Sequence, residues 1–461
     1  VTDPVLTVEQ MRAAERAAMD AGTSEWELML QAGEGAAHYV HRVAAGRDVC
    51  VLCGPGNNGG DGYVIAESLR RRGYAVSVIA PLEPGTDTAR KARSEFRGEV
   101  ASNGSPEGAV VVDCLFGYGL ARQVAGKFAE LLEELSSSTC YKIAIDVPSS
   151  VESDTGKALG PLPGYDLTLA LGGWKQAHFL MSAMAAMGCK RLVPLDLPDA
   201  GRVARLSARP RLSAPPKDSH KYRRGLVAVV AGEMPGAPLL SCDAAMRAGA
   251  GYVKLMSDHS HPDAPAELVI EQGDLTENLS DERISAVLVG PGLGPSDEAR
   301  GRLCAALESG KPCVVDADAL RLLDHDVIEG VDTSRIVVTP HEGELAALCA
   351  SFDVEADNKL DRARKLHDVT GMTVLAKGPD TICMGEGGAV LFDAGSSWLS
   401  VAGSGDVLAG IIAARLASHG EPVRACEEAV WLHHEAARLS GAAFTAGELA
   451  GSVNRALENF L

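Results

Sequence analysis

The pattern of apolar and polar positions opens on a helix. TVEQMRAAERAAMDAG places Thr7 and Gln10 three residues apart, which predicts a capping box, and then runs through alanine-rich sequence to Gly22. Apolar runs of strand length follow. DVCVLC predicts a strand over 48–53, followed by a glycine-rich loop, a helix over about 61–72 and a strand over 75–80, which together make one βαβ unit. AVVVDCLF and KIAIDVPS predict two more buried strands, with a helix from Phe128 to Leu135 between them. Strands apolar throughout and alternating with helices predict a mostly parallel sheet covered on both faces.

From 200 to 219 the chain reads AGRVARLSARPRLSAPPKDS, with three prolines and no apolar period, and a domain boundary is expected there, giving domains 1–212 and 213–461. Beyond it LVAVVAG, AVLVGPG, CVVDAD, RIVVTP and TVLAKG read as strands, alternating with helical stretches such as 238–249 and 341–351. The expected fold class is therefore α/β in both halves, with no short-period repeat.

Composition fits this picture. At 461 residues the chain suits two domains of roughly 100–200 residues or slightly more. Fifty glycines exceed the usual share, as expected where many strand-to-helix turns line nucleotide sites. The formal charge of -19 argues against nucleic acid as a partner, so bound phosphates must be held largely by main-chain N–H groups. Eleven scattered cysteines read as reduced thiols, and Cys50 and Cys53 lie in an apolar strand with no second pair to complete a metal or redox site. His38 with His41, and His433 with His434, likewise lack the carboxylate spacing of a zinc site. No apolar run approaches the ~20 residues of a membrane span, and a cytoplasmic, homo-oligomeric enzyme is expected.

Candidate chemistry concentrates at two places. GPGNNGGDGY, 54–63, spends most of its positions on residues that tolerate unusual backbone, between a strand and a helix. It reads either as a tight turn or as a phosphate cradle, because loop N–H groups and a helix N-terminus there face one spot. Asp113, a second glycine loop after it, Asp146 and Ser149 all follow strands, so a parallel sheet brings them to the same carboxyl edge. The second place is VAGSGDVLAGIIAARLA, 401–417, where a Gly-Ser-Gly turn and Asp406 open an apolar helix. That arrangement makes an oxyanion hole with a base beside it, or an ordinary acidic first turn. GPGLG (290–294), DAD (316–318), TPHEGE (339–344) and AKGPDT (376–381) add strand ends, with Lys377 available to a phosphate and His341 either orienting a ligand or serving the turn.

GPGNNGGDG, DCLFGYG and IDVPSSVESDTG resemble the N-terminal, epimerase half of bifunctional NAD(P)H-hydrate repair enzymes, a Rossmann-like three-layer domain. The resemblance implies that Asn57, Asn58, Gly59, Gly60 and Asp61 hold the dinucleotide. It gives Gly117, Tyr118, Gly119, Leu120, Ala121, Arg122 and Gln123 as a second ligand loop, and Asn58, Asp113 and Ser149 as helping to bind K+. Asp146 is the implied acid/base. Tyr118 stands where the family usually has Thr, and Ser150 where it usually has Gly. HKYRRGLVAVVAG, PGAPLLSCDAAMRAGAGYVKL and the 401–417 segment resemble the ribokinase-like, ADP-dependent dehydratase half of the same enzymes, with Ser404 for the more usual Thr. There the resemblance implies that Ala237, Gly292, Gly294, His341 and Asp406 contact the hydrate. Lys377, Gly378, Pro379, Asp380, Thr381 and Gly405 contact the adenine nucleotide, with Mg2+ assisting. The implied function is repair of hydrated NADH and NADPH: epimerisation, then ADP-dependent dehydration with Asp406 as base. The alternative is a small-molecule kinase behind a non-catalytic nucleotide-binding module.

Overall fold

The computed structural model describes residues 3–198 and 204–461, so positions 200–203 of the proline-containing stretch lie outside the described residues. The chain forms two compact units, Val1–Leu206 and Ser207–Leu461.

The first unit is built on seven parallel strands: β1 Val49–Cys53, β2 Val76–Ile79, β3 Val100–Ala101, β4 Val110–Cys114, β5 Tyr141–Ile145, β6 Leu167–Leu171 and β7 Cys189–Val193. Their order in the sheet is β3-β2-β1-β4-β5-β6-β7, the Rossmann arrangement in which the order reverses beside β1. Alternation along β1 shows how the layers form. Val49, Val51 and Cys53 join Met29, Ala36 and Leu69 in the core under the helices Glu25–Ala44 and Asn57–Arg71. Cys50 and Leu52 point the other way, toward Leu131, Leu132 and Leu135 of the helix Lys127–Ser137. The helix Val8–Asp20 begins with the expected capping box, Thr7 accepting from Gln10 N and Gln10 accepting from Thr7 N.

One boundary differs from the sequence reading. The helix after β1 starts at Asn57 and not near 61, so its first turn is made of Asn and Gly, with Gly56 as cap. Packing explains the composition. A Cβ on Gly59 would lie 1.9 Å from the carbonyl oxygen of Gly54, so the turn closes only with no side chain there.

In the second unit the strands are β8 Leu226–Val230, β9 Tyr252–Met256, β10 Val269–Glu271, β11 Ile284–Val289, β12 Cys313–Val315, β13 Ile336–Val338 and β14 Thr373–Ala376, followed by the hairpin β15 Ile382–Gly385 and β16 Gly388–Leu391. Pairing runs β10-β9-β8-β11-β12-β13-β14 in parallel, and then antiparallel through β15 and β16. The helix Ser404–His419 is buried along most of its length and packs on the helix Gly236–Arg247. Their approach is so close that a Cβ on Gly410 would fall 2.2 Å from the carbonyl oxygen of Ser241. The eleven cysteines are free. Among the described residues no helix is long and apolar enough to cross a membrane.

Candidate active sites

At the carboxyl edge of the first sheet lies a cavity of about 680 Å³. Asn57, Asn58, Asp61, Gly117 to Arg122 and Asp146 all line it, together with Arg12, Glu15 and Lys175. The Asn57 side chain is tied down, donating to Glu25 Oε1 at 2.8 Å and accepting from Thr86 Oγ1 at 2.6 Å. The amide of Asn58 is buried, and neither its nitrogen nor its oxygen has a partner. Buried polar groups are almost always hydrogen-bonded, so this amide is the clearest place for something to bind. Gly59 and Gly60 do not line the cavity; they pack on Gly54 and Met29 and let the helix start where it does. Gln123 is exposed and also off the lining. Asp61 is enclosed, and burial, then the charge of Asp146, push its carboxyl well above the usual range.

Asp146 follows β5 with φ of 68°, a left-handed conformation that few non-glycine residues adopt and that is found at functional sites. Its Oδ2 accepts from Tyr118 N at 2.9 Å, and its Oδ1 is 2.5 Å from Lys175 Nζ. Lys175 is fully enclosed and also donates to Leu171 O at 2.6 Å. The carbonyl of Asp146 accepts from His178 Nε2 at 2.8 Å, while His178 Nδ1 accepts from Lys175 N at 2.9 Å, which fixes the tautomer. Burial, then the Lys175 charge, push that imidazole down to about 4, so it stays neutral. Tyr118 reaches further than the usual Thr could: its hydroxyl donates to Glu15 Oε2 at 2.7 Å. Lys175 Nζ lies 5.4 Å from the centre of its ring.

Asp113 and Ser149 sit beneath the cavity and off its lining. Ser149 Oγ donates to Asp113 Oδ1 at 2.6 Å, Leu115 N to the same oxygen, and Tyr165 OH to Asp113 Oδ2 at 2.5 Å. Ser150 Oγ, at the position where the family usually has Gly, is buried and unpartnered.

In the second unit Gly403, with φ of 87°, caps the helix Ser404–His419. The N–H groups of Gly405 and Asp406, in its first turn, have no intrahelical acceptor and face outward from the helix end. Lys377 Nζ lies 3.3 Å from where a Gly405 Cβ would be, and is held 2.6 Å from Asp316 Oδ1, which also accepts from Thr339 Oγ1. Burial, then the charge of Asp316, raise the Asp406 carboxyl to about 7, against the opposing pull of Lys377. Ser241 Oγ donates to Asp406 O at 2.9 Å and His433 Nε2 to Ser404 O at 3.0 Å, anchoring the turn from both sides.

The remaining positions surround this turn to different degrees. Lys359 Nζ ties the 377–381 loop through Lys377 O, Asp380 O and Asp380 Oδ1, and Thr381 Oγ1 donates to Gly378 O; Gly378 and Pro379 are left exposed. Gly292 and Gly294 follow β11 at positive φ, beside Met234 and Glu233 of the segment that leads to Ala237. His341 caps the helix Glu342–Ser351, its Nδ1 accepting from Gly343 N at 3.0 Å. Its Nε2 lies 3.4 Å from Glu344 Oε1.

Comparison with known proteins follows the same division. Residues 25–177 match the family model described as YjeF-related protein N-terminus, and residues 227–459 match the model described as NAD(P)H-hydrate dehydratase. The bifunctional NAD(P)H-hydrate repair enzyme Nnr of Mycobacterium leprae is 34% identical, over 97% of this chain and 96% of that one. The protein of the same name from Escherichia coli is 33% identical, over 98% and 93%. The chain belongs to the bifunctional NAD(P)H-hydrate repair enzymes. As a member of that family it pairs an epimerase half with a dehydratase half. Among solved structures, the ADP/ATP-dependent NAD(P)H-hydrate dehydratase of Bacillus subtilis, co-crystallised with ATP and Mg2+, aligns with 54% of this chain and 95% of its own, at 25% identity and a TM-score of 0.48.

Against this family background, Lys175, His178, Glu15 and Tyr165 in the first unit and Lys359 in the second are functional candidates that motif reading did not select, while Asp316 and Thr339 lie in the strand ends DAD and TPHEGE without a role assigned to either. For Lys175 a signal was present: LTLALGGWKQAHF carries one cation in an otherwise apolar strand end on the ligand edge of the sheet.

Proposed function

We propose that residues 1–212 interconvert the R and S hydrates of NADH and NADPH, and that residues 213–461 return the S hydrate to NAD(P)H at the expense of ADP, giving AMP and phosphate. Asp406 carries this reading. A carboxylate that titrates near 7, at a helix start with free N–H groups and beside a lysine, suits a base that works next to a phosphoryl group. Hydroxide is a poor leaving group. Asp406 takes the proton of the ring hydroxyl, whose oxygen attacks the terminal phosphorus of ADP and displaces AMP. The ester then loses phosphate together with a neighbouring ring proton, which restores the reduced nicotinamide. Lys377 and the N–H groups of Gly405 and Asp406 meet the charge that develops on the transferred group. Mg2+ would arrive with the nucleotide phosphates and neutralise them, in keeping with its preference for phosphate oxygen and few protein ligands. Among the described residues no three His, Cys, Asp or Glu side chains converge on a metal position.

In the first unit Asp146 is the proton carrier, and the 54–61 turn with the 117–123 loop embraces the dinucleotide. The residues present suit K+: the unpartnered Asn58 amide oxygen and the oxygens of Asp113 and Ser149 are the hard donors it takes, and the Ser149 and Tyr165 hydroxyls can turn their protons aside to release the Asp113 carboxylate. The bound cation would supply positive charge near the substrate phosphates. Free cysteines throughout support a cytoplasmic location. The test is incubation with NADH hydrate and ADP: recovery of reduced-nicotinamide absorbance with one AMP per turnover is expected, whereas an accumulating phosphorylated substrate would mean a kinase.

A further inference from the structure

From the geometry around Asp146 we infer that Lys175 is a positioning residue of the epimerase half, holding the Asp146 side chain with one oxygen turned to the cavity. This rests on the epimerase reading of the first unit and adds a residue to it.

A fully enclosed ammonium is a poor stability device, because apolar side chains of similar volume commonly replace a buried ion pair at no loss. Its retention here makes sense through what it touches. Lys175 Nζ donates to Asp146 Oδ1 at 2.5 Å and to Leu171 O at 2.6 Å, and the ring of Tyr118 covers it 5.4 Å away. Asp146 Oδ1 is thereby consumed, with Leu171 N adding a longer contact at 3.4 Å. Oδ2 receives a single N–H, from Tyr118, and keeps lone-pair capacity on the cavity side. The backbone is arranged to the same end: His178 grips the Asp146 carbonyl through Nε2 and the Lys175 amide through Nδ1, so one neutral imidazole ties both partners. The other charged groups that share the cavity are Arg12, Glu15, Glu25, Asp61 and Arg122. Lys175 is therefore the cation bound directly to the Asp146 carboxyl group.

In the epimerisation this gives Asp146 the role of acceptor. The ring C–O bond breaks as the ring nitrogen supplies its electron pair and a proton drawn from solvent joins the departing hydroxyl to form water. Water then adds to the ring carbon and yields its proton to Asp146 Oδ2, so the net change is inversion at carbon and one proton exchanged with solvent.

The full chain tests this with an internal control, because an equilibrated mixture of NADH hydrates in ADP is consumed in two phases: S directly, and R only as fast as it is epimerised. Lys175→Met is expected to slow the second phase by about 10- to 100-fold in kcat with KM nearly unchanged. The first phase stays at the wild-type rate. Lys175→Arg keeps the charge and is expected to restore most of the second phase. A second phase in Lys175→Met with wild-type kcat overturns the inference. So does a folded Lys175→Arg as slow as Lys175→Met. If Lys175→Met does not fold, Lys175→Gln and Lys175→Arg, compared at matched thermal stability, decide between the same outcomes. Wild-type enzyme without a second phase above the uncatalysed rate would instead overturn the epimerase reading itself.

Discussion

Single residues here are tuned by what encloses them. On the proposed mechanism Asp406 acts as a base only when ionised, and its carboxyl sits at about 7, so dehydration is expected to rise with pH through that value and level off above it. Asp406→Ala should lower dehydration by about 10²- to 10⁴-fold while calorimetry shows ADP binding retained. The same shift has a stability consequence. The folded protein favours the protonated form, so ionising Asp406 costs stability from above the unfolded value near 4 up to about 7 and by a constant amount beyond. Asp406→Asn should therefore melt higher than wild type at pH 8 and equally at pH 3.5, and an unchanged difference across that range would contradict the shift. Motif reading could find Asp406 and Asp146 because each follows a glycine turn or a strand end. It reached Asp316 only as part of the strand end DAD and did not reach His178, because their contacts are to partners distant in sequence: Thr339 and Lys377 for one, the Asp146 carbonyl for the other.

At the scale of elements, strand periodicity was legible because buried parallel strands are apolar throughout: β1, β4, β8, β12, β13 and β14 lie within the predicted runs, and β5 and β11 begin one and two residues before theirs. The start of the helix Asn57–Arg71 was not legible. Glycine and asparagine disfavour helix locally, and here a tertiary contact, the Gly59 turn against Gly54, overrides that preference. Glycines of this segment should accordingly differ in tolerance. Gly59→Ala is expected to destabilise the first unit by about 3 kcal/mol in denaturant unfolding, since backbone must move. Gly56→Ala, with open space around its Cβ, should cost less than about 1 kcal/mol. In the second unit Gly410→Ala should force the helices Ser404–His419 and Gly236–Arg247 apart. It should lower dehydratase activity along with stability, because Ser241 anchors the catalytic turn across that contact.

For the whole molecule, two α/β units on one chain act on one substrate, and their activities should come apart by mutation. Asp146→Ala is expected to leave S hydrate consumed at the normal rate with R hydrate left behind, and Asp406→Ala to leave both hydrates interconverting but unrepaired. The most direct measurement takes wild-type enzyme, an equilibrated mixture of R and S NADH hydrates and excess ADP, following absorbance at the reduced-nicotinamide band and AMP together. Complete recovery, with AMP equal to the hydrate consumed and the slower phase abolished by Asp146→Ala, is the predicted result. Recovery that stops at the S fraction in wild type, or ADP consumed into a lasting phosphorylated hydrate, would contradict the account.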